Sequence, residues 1–342
     1  MQALVLAGGE GTRLRPLTLT VPKPVMPLAG RPFLSFMLEW LAGHGVEEAL
    51  LSCGFMAERV ERVLGSEHAG VRLRYVVEGE PLGTAGPVRL AHDEGLLEER
   101  FLVLNGDVLT DIDLRAEISQ HERTGAAATL ALVAVADPSG YGVVPTTGTG
   151  EVEAFLEKTD SPPTDRINAG AYVLERDEVA PRIAPGRAVS FERDVFPELV
   201  GEGLYGFDAE GYWIDIGTPE RYLEATWDLL AGALDSSLPE RDASGSLVYP
   251  PAAVTGAQVG PLAVLGAGSE VGAGSLVERA VLHDNVRVGA DCVVRASVLG
   301  EGVKVGFGAA VEPGAMVGSG ASIAVGARVP GSARVAPGEH VG

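Results

Sequence analysis

The chain has 342 residues, 46% of them hydrophobic and 6% aromatic, enough to bury a sizeable core and to divide into two domains. No segment approaches the ~20 uninterrupted apolar residues of a membrane span, and no basic leader precedes a long apolar stretch, so a cytoplasmic protein is expected. A formal charge of −21 argues against non-specific partners such as nucleic acid or an anionic membrane surface.

The charge is uneven. From residue 251 onward there are seven acids and six bases, against 40 acids and 20 bases before it. Only three of the 26 basic residues are lysines, Lys23, Lys158 and Lys304, so an ammonium group is a deliberate choice here rather than the default cation. The two cysteines, Cys53 and Cys292, lie far apart and form neither a disulfide framework nor a metal cluster.

Residues 4 to 32 read LVLAGGEGTRLRPLTLTVPKPVMPLAGRP. The apolar run Leu4, Val5, Leu6 predicts a buried strand that empties through Ala7 into a turn with Gly8, Gly9 and Gly11. Thr12, Arg13 and Arg15 follow, and Lys23 is set between two prolines. Backbone N–H groups of such a turn can close on phosphate oxygens while cations neutralise the remaining charge. The spacing is that of neither common phosphate loop: Leu14 stands where a dinucleotide fingerprint has its third glycine, and no G-x-x-x-x-G-K-[ST] is present.

Further strands are expected at Ala49–Cys53, Leu73–Val77, Phe101–Leu104 and Thr129–Val135. Helices are expected at Pro32–Ala42, Glu58–Leu64, Ala85–His92 and Leu114–Arg123, with another from about Glu220 to Leu230. This alternation predicts an α/β domain with a Rossmann-like, mixed but mainly parallel sheet covered on both faces, and ligands beyond the carboxyl ends of its strands.

Two carboxylates stand among apolar residues: Asp107 ends Val103-Leu104-Asn105-Gly106-Asp107, and Asp215 lies within Tyr212-Trp213-Ile214-Asp215-Ile216-Gly217. Buried charge is costly unless paired or metal-bound. Two carboxylates beside a triphosphate loop suit Mg²⁺, which takes one or two carboxylates and completes its shell with phosphate oxygens.

After a connector at 233–250 the period changes. Val259, Leu265, Val271 and Val277 are six apart; Leu282, Val288 and Val294 resume after a step of five; Leu299, Val305, Val311, Val317, Ile323, Val329 and Val335 continue in sixes. Fourteen phased aliphatic positions, commonly followed by glycine, predict a hexapeptide solenoid over 251–342.

The opening segment resembles the signature of the sugar-1-phosphate nucleotidyltransferases, and the solenoid is similar to the left-handed β-helix of hexapeptide-repeat proteins. The resemblance implies a nucleotidyltransferase domain at 1–232 that joins a nucleoside triphosphate to a sugar-1-phosphate and releases pyrophosphate. It implies that Asp107 and Asp215 hold the metal, that Arg13 grips the β and γ phosphates, and that Lys23 sits near the α-phosphate. Leu6, Ala7, Gly8, Gly9, Gly11, Thr12 and Gly106 would bind substrate.

Phe155-Leu156-Glu157-Lys158 resembles the family's V-E-K-P element, with Thr159 in place of proline, so Glu157 is expected at the sugar hydroxyls and Lys158 at the sugar phosphate. Asn168 of Ile167-Asn168-Ala169-Gly170 is expected to contact the sugar, and Gly142 of Tyr141-Gly142-Val143-Val144 to let it approach the backbone. Pro81-Leu82-Gly83-Thr84-Ala85-Gly86-Pro87 resembles the element of the guanylyl-transferring branch that acts on mannose-1-phosphate, with Gly83 and Thr84 against the base. Thymidylyl enzymes, the alternative with dTTP and glucose-1-phosphate, usually carry a glutamine there.

Two other classes are weighed. Acyl transfer by the solenoid would need a histidine base, and only His283 and His340 are available; His283 is expected in a polar corner of one coil. A non-catalytic regulatory relative would have degraded the loop or the carboxylates, yet Arg13, Lys23, Asp107, Lys158 and Asp215 are all present. A homo-oligomer is expected because β-helix ends need covering.

Overall fold

The structure is a computed structural model that describes residues 1–342 apart from Lys158 and Asp160. Contacts divide the chain into two compact units, Met1–Gly9 with Leu34–Trp213, and Glu10–Phe33 with Ile214–Gly342.

The first unit is built on a ten-stranded sheet. Its parallel centre runs Arg100–Asn105, Gln2–Leu6, Glu48–Cys53, Val71–Val77. The first three are near-continuous apolar runs buried on both faces, whereas Val71–Val77 alternates, with Arg72 and Arg74 exposed; Leu4, Leu50, Val103 and Phe101 are buried in one core. The helices Phe33–Gly43, Ala57–Leu64, Gly86–Asp93 and Leu114–Thr124 lie within two residues of the expected ones. Local chemistry sets their ends: Asp113 accepts from the N–H groups of Arg115 and Ala116, and Gly125 closes the same helix in the left-handed conformation.

The long strand Arg166–Glu175 pairs antiparallel with both Arg100–Asn105 and Ala128–Ala134, so the sheet is mixed. Its register shifts between Asn168 and Tyr172, a β-bulge inside the strand. Beyond it, Gly142–Val143 and Leu156–Glu157 form an antiparallel edge, with Gly142 opposite Glu157.

The second unit contains a parallel β-helix, the left-handed type expected of hexapeptide repeats. Three sheets of six, six and five short strands stack in parallel. Coils advance by 17 residues in the early rungs (Val264 pairs with Val281) and by 18 later (Val298 pairs with Met316), which explains the five-residue steps in the sequence. Thirteen of the fourteen phased aliphatics enter one core, and Val259 is partly buried against it. The first rung is Leu247–Val248, paired with Val264–Leu265, so the solenoid begins inside the stretch expected as connector. Val248 and Val254 continue the aliphatic column in register with Leu265 and Val271, but they lie on the end coil and stay exposed.

Packed with the solenoid are the helix Pro219–Ala231, capped by Thr218 and ended by Gly232, and the signature segment Glu10–Phe33. The two compact units part within the signature, after Gly9, and again after Trp213. No helix among the described residues is long and apolar enough to cross a membrane.

Candidate active site

In the first unit, strand register brings the motifs together. Leu6 is aligned with Ser52 on one side and Asn105 on the other, so three chain reversals leave the same edge of the sheet. These are carboxyl ends of parallel strands, where ligands bind in open α/β sheets. Ala7 N–H donates to the Ser52 carbonyl at 2.8 Å, and Gly106 N–H to the Leu6 carbonyl at 2.9 Å. A Cβ at Gly106 would stand 2.5 Å from that Leu6 oxygen, so only glycine lets the Asp107 turn lie against the Ala7–Gly9 turn. Asp107 itself is half-buried.

Glu78, which opens the stretch leading into Pro81–Pro87 and was given no role of its own from sequence, ties that loop to this edge. Its Oε1 accepts from Ser52 Oγ at 2.6 Å, and its Oε2 from Leu82 N–H at 2.9 Å. A Cβ on Gly8 would come within 2.7 Å of the same carboxylate. The Gly83 turn that follows has φ +77°, and a Cβ there would strike the Val189 carbonyl. Ala85 N–H donates to Val189 O, and Val189 N–H to Leu82 O, both at 2.9 Å. Thr84 Oγ1 donates to Glu192 Oε2 at 2.7 Å and accepts from Phe191 N–H at 2.8 Å. The Gly83–Pro87 loop is therefore bolted to the π-helical turn Phe191–Val195, which no sequence motif announced.

The sugar-side elements meet around the bulge. Asn168 Oδ1 accepts from Gly170 N–H at 3.0 Å, and its Nδ2 donates to Tyr172 Oη at 2.8 Å, which fixes the amide orientation. Burial pushes the Tyr172 phenol well above its ordinary range, so it remains a neutral hydrogen-bonding group. Trp213 Nε1 donates to the Ala169 carbonyl at 2.8 Å and meets Tyr141 edge-on, ring centroids 5.6 Å apart. Glu157 is exposed on the strand beside Gly142, with its carboxylate 3.2 Å from where a Gly142 Cβ would be. Lys158 lies outside the described residues.

In the second unit, Gly11 adopts φ +61° and opens the short helical turn Thr12–Leu14. A Cβ there would lie 3.0 Å from Thr18 Cγ2 and 3.2 Å from Lys23 Cβ, and Thr18 Oγ1 donates to the Gly11 carbonyl at 2.8 Å. The turn is wound tightly around the lysine. Lys23 is only 7% exposed, with Pro22, Pro24 and Val25 buried beside it, which rules out a solvated loop lysine. Thr12 and Arg13 are exposed. Asp215 Oδ1 accepts from Gly217 N–H at 2.7 Å, and a Cβ at Gly217 would run into both that carboxylate and the Arg13 guanidinium. Arg13 and Asp215 thus share one backbone corner.

The remaining candidates separate from the chemistry. His283 is 5% exposed, and burial pushes its imidazole down to about 4. Cys53 is buried and its thiol is pushed up to about 12, so it is inert at neutral pH.

Comparison with known proteins agrees with this geometry. The nucleotidyl transferase family model matches residues 2–232, and a model described as the GMPPB C-terminal domain matches residues 245–341. A mannose-1-phosphate guanylyltransferase of Mycobacterium tuberculosis is 44% identical over 84% of this chain and 81% of its own. The catalytic subunit beta of mannose-1-phosphate guanylyltransferase from Danio rerio is 37% identical over 78% of this chain and 73% of its own. Among solved structures, HddC from Yersinia pseudotuberculosis complexed with GMP-PN aligns with a TM-score of 0.58 at 29% identity, covering 67% of this chain and 99% of that one. A strand-end glycine turn, an aspartate turn packed on it and a buried lysine thus coincide with family-wide similarity, and the chain is an enzyme of the nucleotidyl transferase family carrying a C-terminal β-helix.

Proposed function

We propose that the protein is a mannose-1-phosphate guanylyltransferase, converting GTP and mannose-1-phosphate to GDP-mannose and pyrophosphate with Mg²⁺. The observation that carries the reaction class is the alignment of Leu6 with Asn105, which sets the glycine turn against the Asp107 turn at the carboxyl edge of the sheet. The base and sugar rest on the similarity to the Mycobacterium tuberculosis enzyme and on the Gly83–Pro87 loop, which has no glutamine to read thymine.

In this reading an oxygen of the sugar-1-phosphate attacks the α-phosphorus in line, the bond to the bridging oxygen breaks, and pyrophosphate leaves. Little covalent work falls to the protein; alignment and neutralisation of growing negative charge supply the rate. Arg13 holds the β and γ phosphates, and Lys23 meets the α-phosphate as charge builds. Burial strengthens that interaction and removes the entropy of fixing a flexible side chain. Gly83 and Thr84 face the base. Gly142, Glu157, Lys158 and Asn168 orient the sugar and its phosphate.

Asp107 and Asp215 would hold the divalent ion. No group of three or more His, Cys, Asp or Glu side chains that could cage a metal occurs among the described residues. A two-carboxylate donor set fits an ion that brings most of its shell as substrate oxygens and water. When bound, it neutralises charge on the phosphate oxygens.

We further propose a cytoplasmic homo-oligomer with a catalytic part over 1–232 and a β-helix beyond the connector, whose unpaired end rungs are surfaces for assembly. A pyrophosphate-release matrix of five triphosphates against mannose-, glucose- and N-acetylglucosamine-1-phosphate tests the assignment. The highest kcat/KM is expected for GTP with mannose-1-phosphate. Preference for dTTP with glucose-1-phosphate would replace it with the thymidylyl reading, and release from no pair would overturn it altogether.

A further inference from the structure

The helix Pro219–Ala231 and the β-helix hold the backbone on both sides of Lys23, and the grip is directional. Tyr222 is fully buried, and its hydroxyl hydrogen-bonds the Pro27 carbonyl. A carbonyl only accepts, so the single Tyr222 proton is committed to Pro27. His283 Nε2 lies 3.2 Å from the same Tyr222 oxygen. With the tyrosine proton already used, Nε2 must be the donor. The chain therefore runs His283 Nε2–H to Tyr222 Oη–H to the Pro27 carbonyl, from a coil of the solenoid to the signature segment.

Lys23 is close to the end of this relay. Met26 N–H donates to the Lys23 carbonyl at 3.1 Å, so the turn that carries the lysine finishes one residue before Pro27. Two more contacts bracket it. Thr20 Oγ1 lies 3.1 Å from Ser319 Oγ on a later coil, and Tyr249 Oη donates to the Ala29 carbonyl at 2.7 Å. The solenoid thus bonds the signature directly at Thr20 and Ala29 and reaches Pro27 through Tyr222, contacts that a mere spacer or assembly surface would not need.

We propose that Tyr222 and His283 are positioning residues for Lys23, through which the β-helix sets the lysine against the α-phosphate. This rests on the role given to Lys23 under the proposed function. Neither side chain touches substrate; both act through the Pro27 carbonyl.

The test uses the full chain with GTP and mannose-1-phosphate. Tyr222→Phe keeps the ring and removes only the hydroxyl; it is expected to lower kcat about tenfold, the scale of a sub-ångström misplacement, with KM for GTP within twofold. In a Lys23→Ala background the same substitution should cost nothing further, because the residue it positions is gone. Amide exchange should rise in the peptide 20–31 and remain unchanged elsewhere in the solenoid.

Should Tyr222→Phe fail to fold, the His283 pair decides. His283→Gln can still present a donor near the Nε2 position and should retain kcat within twofold, whereas His283→Leu should fall about tenfold as the relay is broken. Unchanged kcat in Tyr222→Phe, an equal loss with and without Lys23, or equal kcat for the Gln and Leu variants would each overturn the positioning role. Full activity in Lys23→Ala alone would instead overturn the assignment of Lys23, and the positioning role with it.

Discussion

Thr84 and Glu192, 108 residues apart in sequence, share a 2.7 Å hydrogen bond that fastens the Gly83–Pro87 loop, proposed to face the base, to the turn after Val189. The same Glu192 oxygen accepts from Ser190 Oγ at 2.6 Å, so one carboxylate gathers two hydroxyls and leaves Thr84 oriented to receive the Phe191 N–H. Bonds to a charged acceptor are worth about 1.5–3 kcal/mol. Glu192→Ala is accordingly expected to raise KM for GTP about tenfold and to narrow the preference for GTP over dTTP, with a smaller change in kcat. Steady-state kinetics with both nucleotides check it. An unchanged KM would mean that the Gly83 turn and its backbone bonds to Val189 suffice to shape the loop.

Asp215 offers a clean separation of fold from metal binding. Its Oδ1 holds the Gly217 N–H at 2.7 Å, a bond that asparagine can reproduce without the charge. Asp215→Asn should therefore retain the wild-type melting temperature while activity falls at least about a hundredfold, the scale seen for lost electrostatic stabilisation. Residual turnover should require a higher Mg²⁺ concentration. Asp107→Asn is expected to behave alike, and a variant with unaltered Mg²⁺ titration would remove that aspartate from the metal site.

A buried acid away from the site governs stability at alkaline pH. Glu117 is fully buried in the helix Leu114–Thr124, where the Ala131 backbone is the one polar group that offsets the burial of its carboxyl among the described residues. Burial pushes its carboxyl well above the usual range. Because the folded-state pKa is raised, its full contribution is present below the unfolded value near 4.5 and is lost as pH rises through the folded one. Glu117→Leu should raise the melting temperature, and by more at pH 8 than at pH 5, since it removes a carboxyl that the fold keeps protonated while the unfolded chain ionises it. Thermal melts at the two pH values would refute this if the variant were equally or less stable at pH 8.

Legibility differed by kind of information. The parallel strands and the solenoid column were readable because both are local patterns that burial makes obligatory, a short continuous apolar run in the one and an aliphatic repeat of six in the other. The long strand Arg166–Glu175 was not, since its apolar run is interrupted by Asn168, Ala169 and Gly170, where the bulge re-aims the chain. Glu78 and Glu192 escaped for a related reason: an acid that fastens a loop looks like any surface acid until its acceptor geometry is seen.

By itself the sequence determined the α/β class, the hexapeptide solenoid and the reaction family, because strand periodicity and a phosphate-binding spacing are properties of neighbouring residues. Only the tertiary structure decided that Lys23 is buried, that Glu192 holds Thr84, and that the solenoid reaches the signature through His283, Tyr222 and Pro27. Those are hydrogen bonds between residues tens to hundreds apart in the chain. Their partners are chosen by folding, which brings donors and acceptors into the same dry space and leaves them only each other.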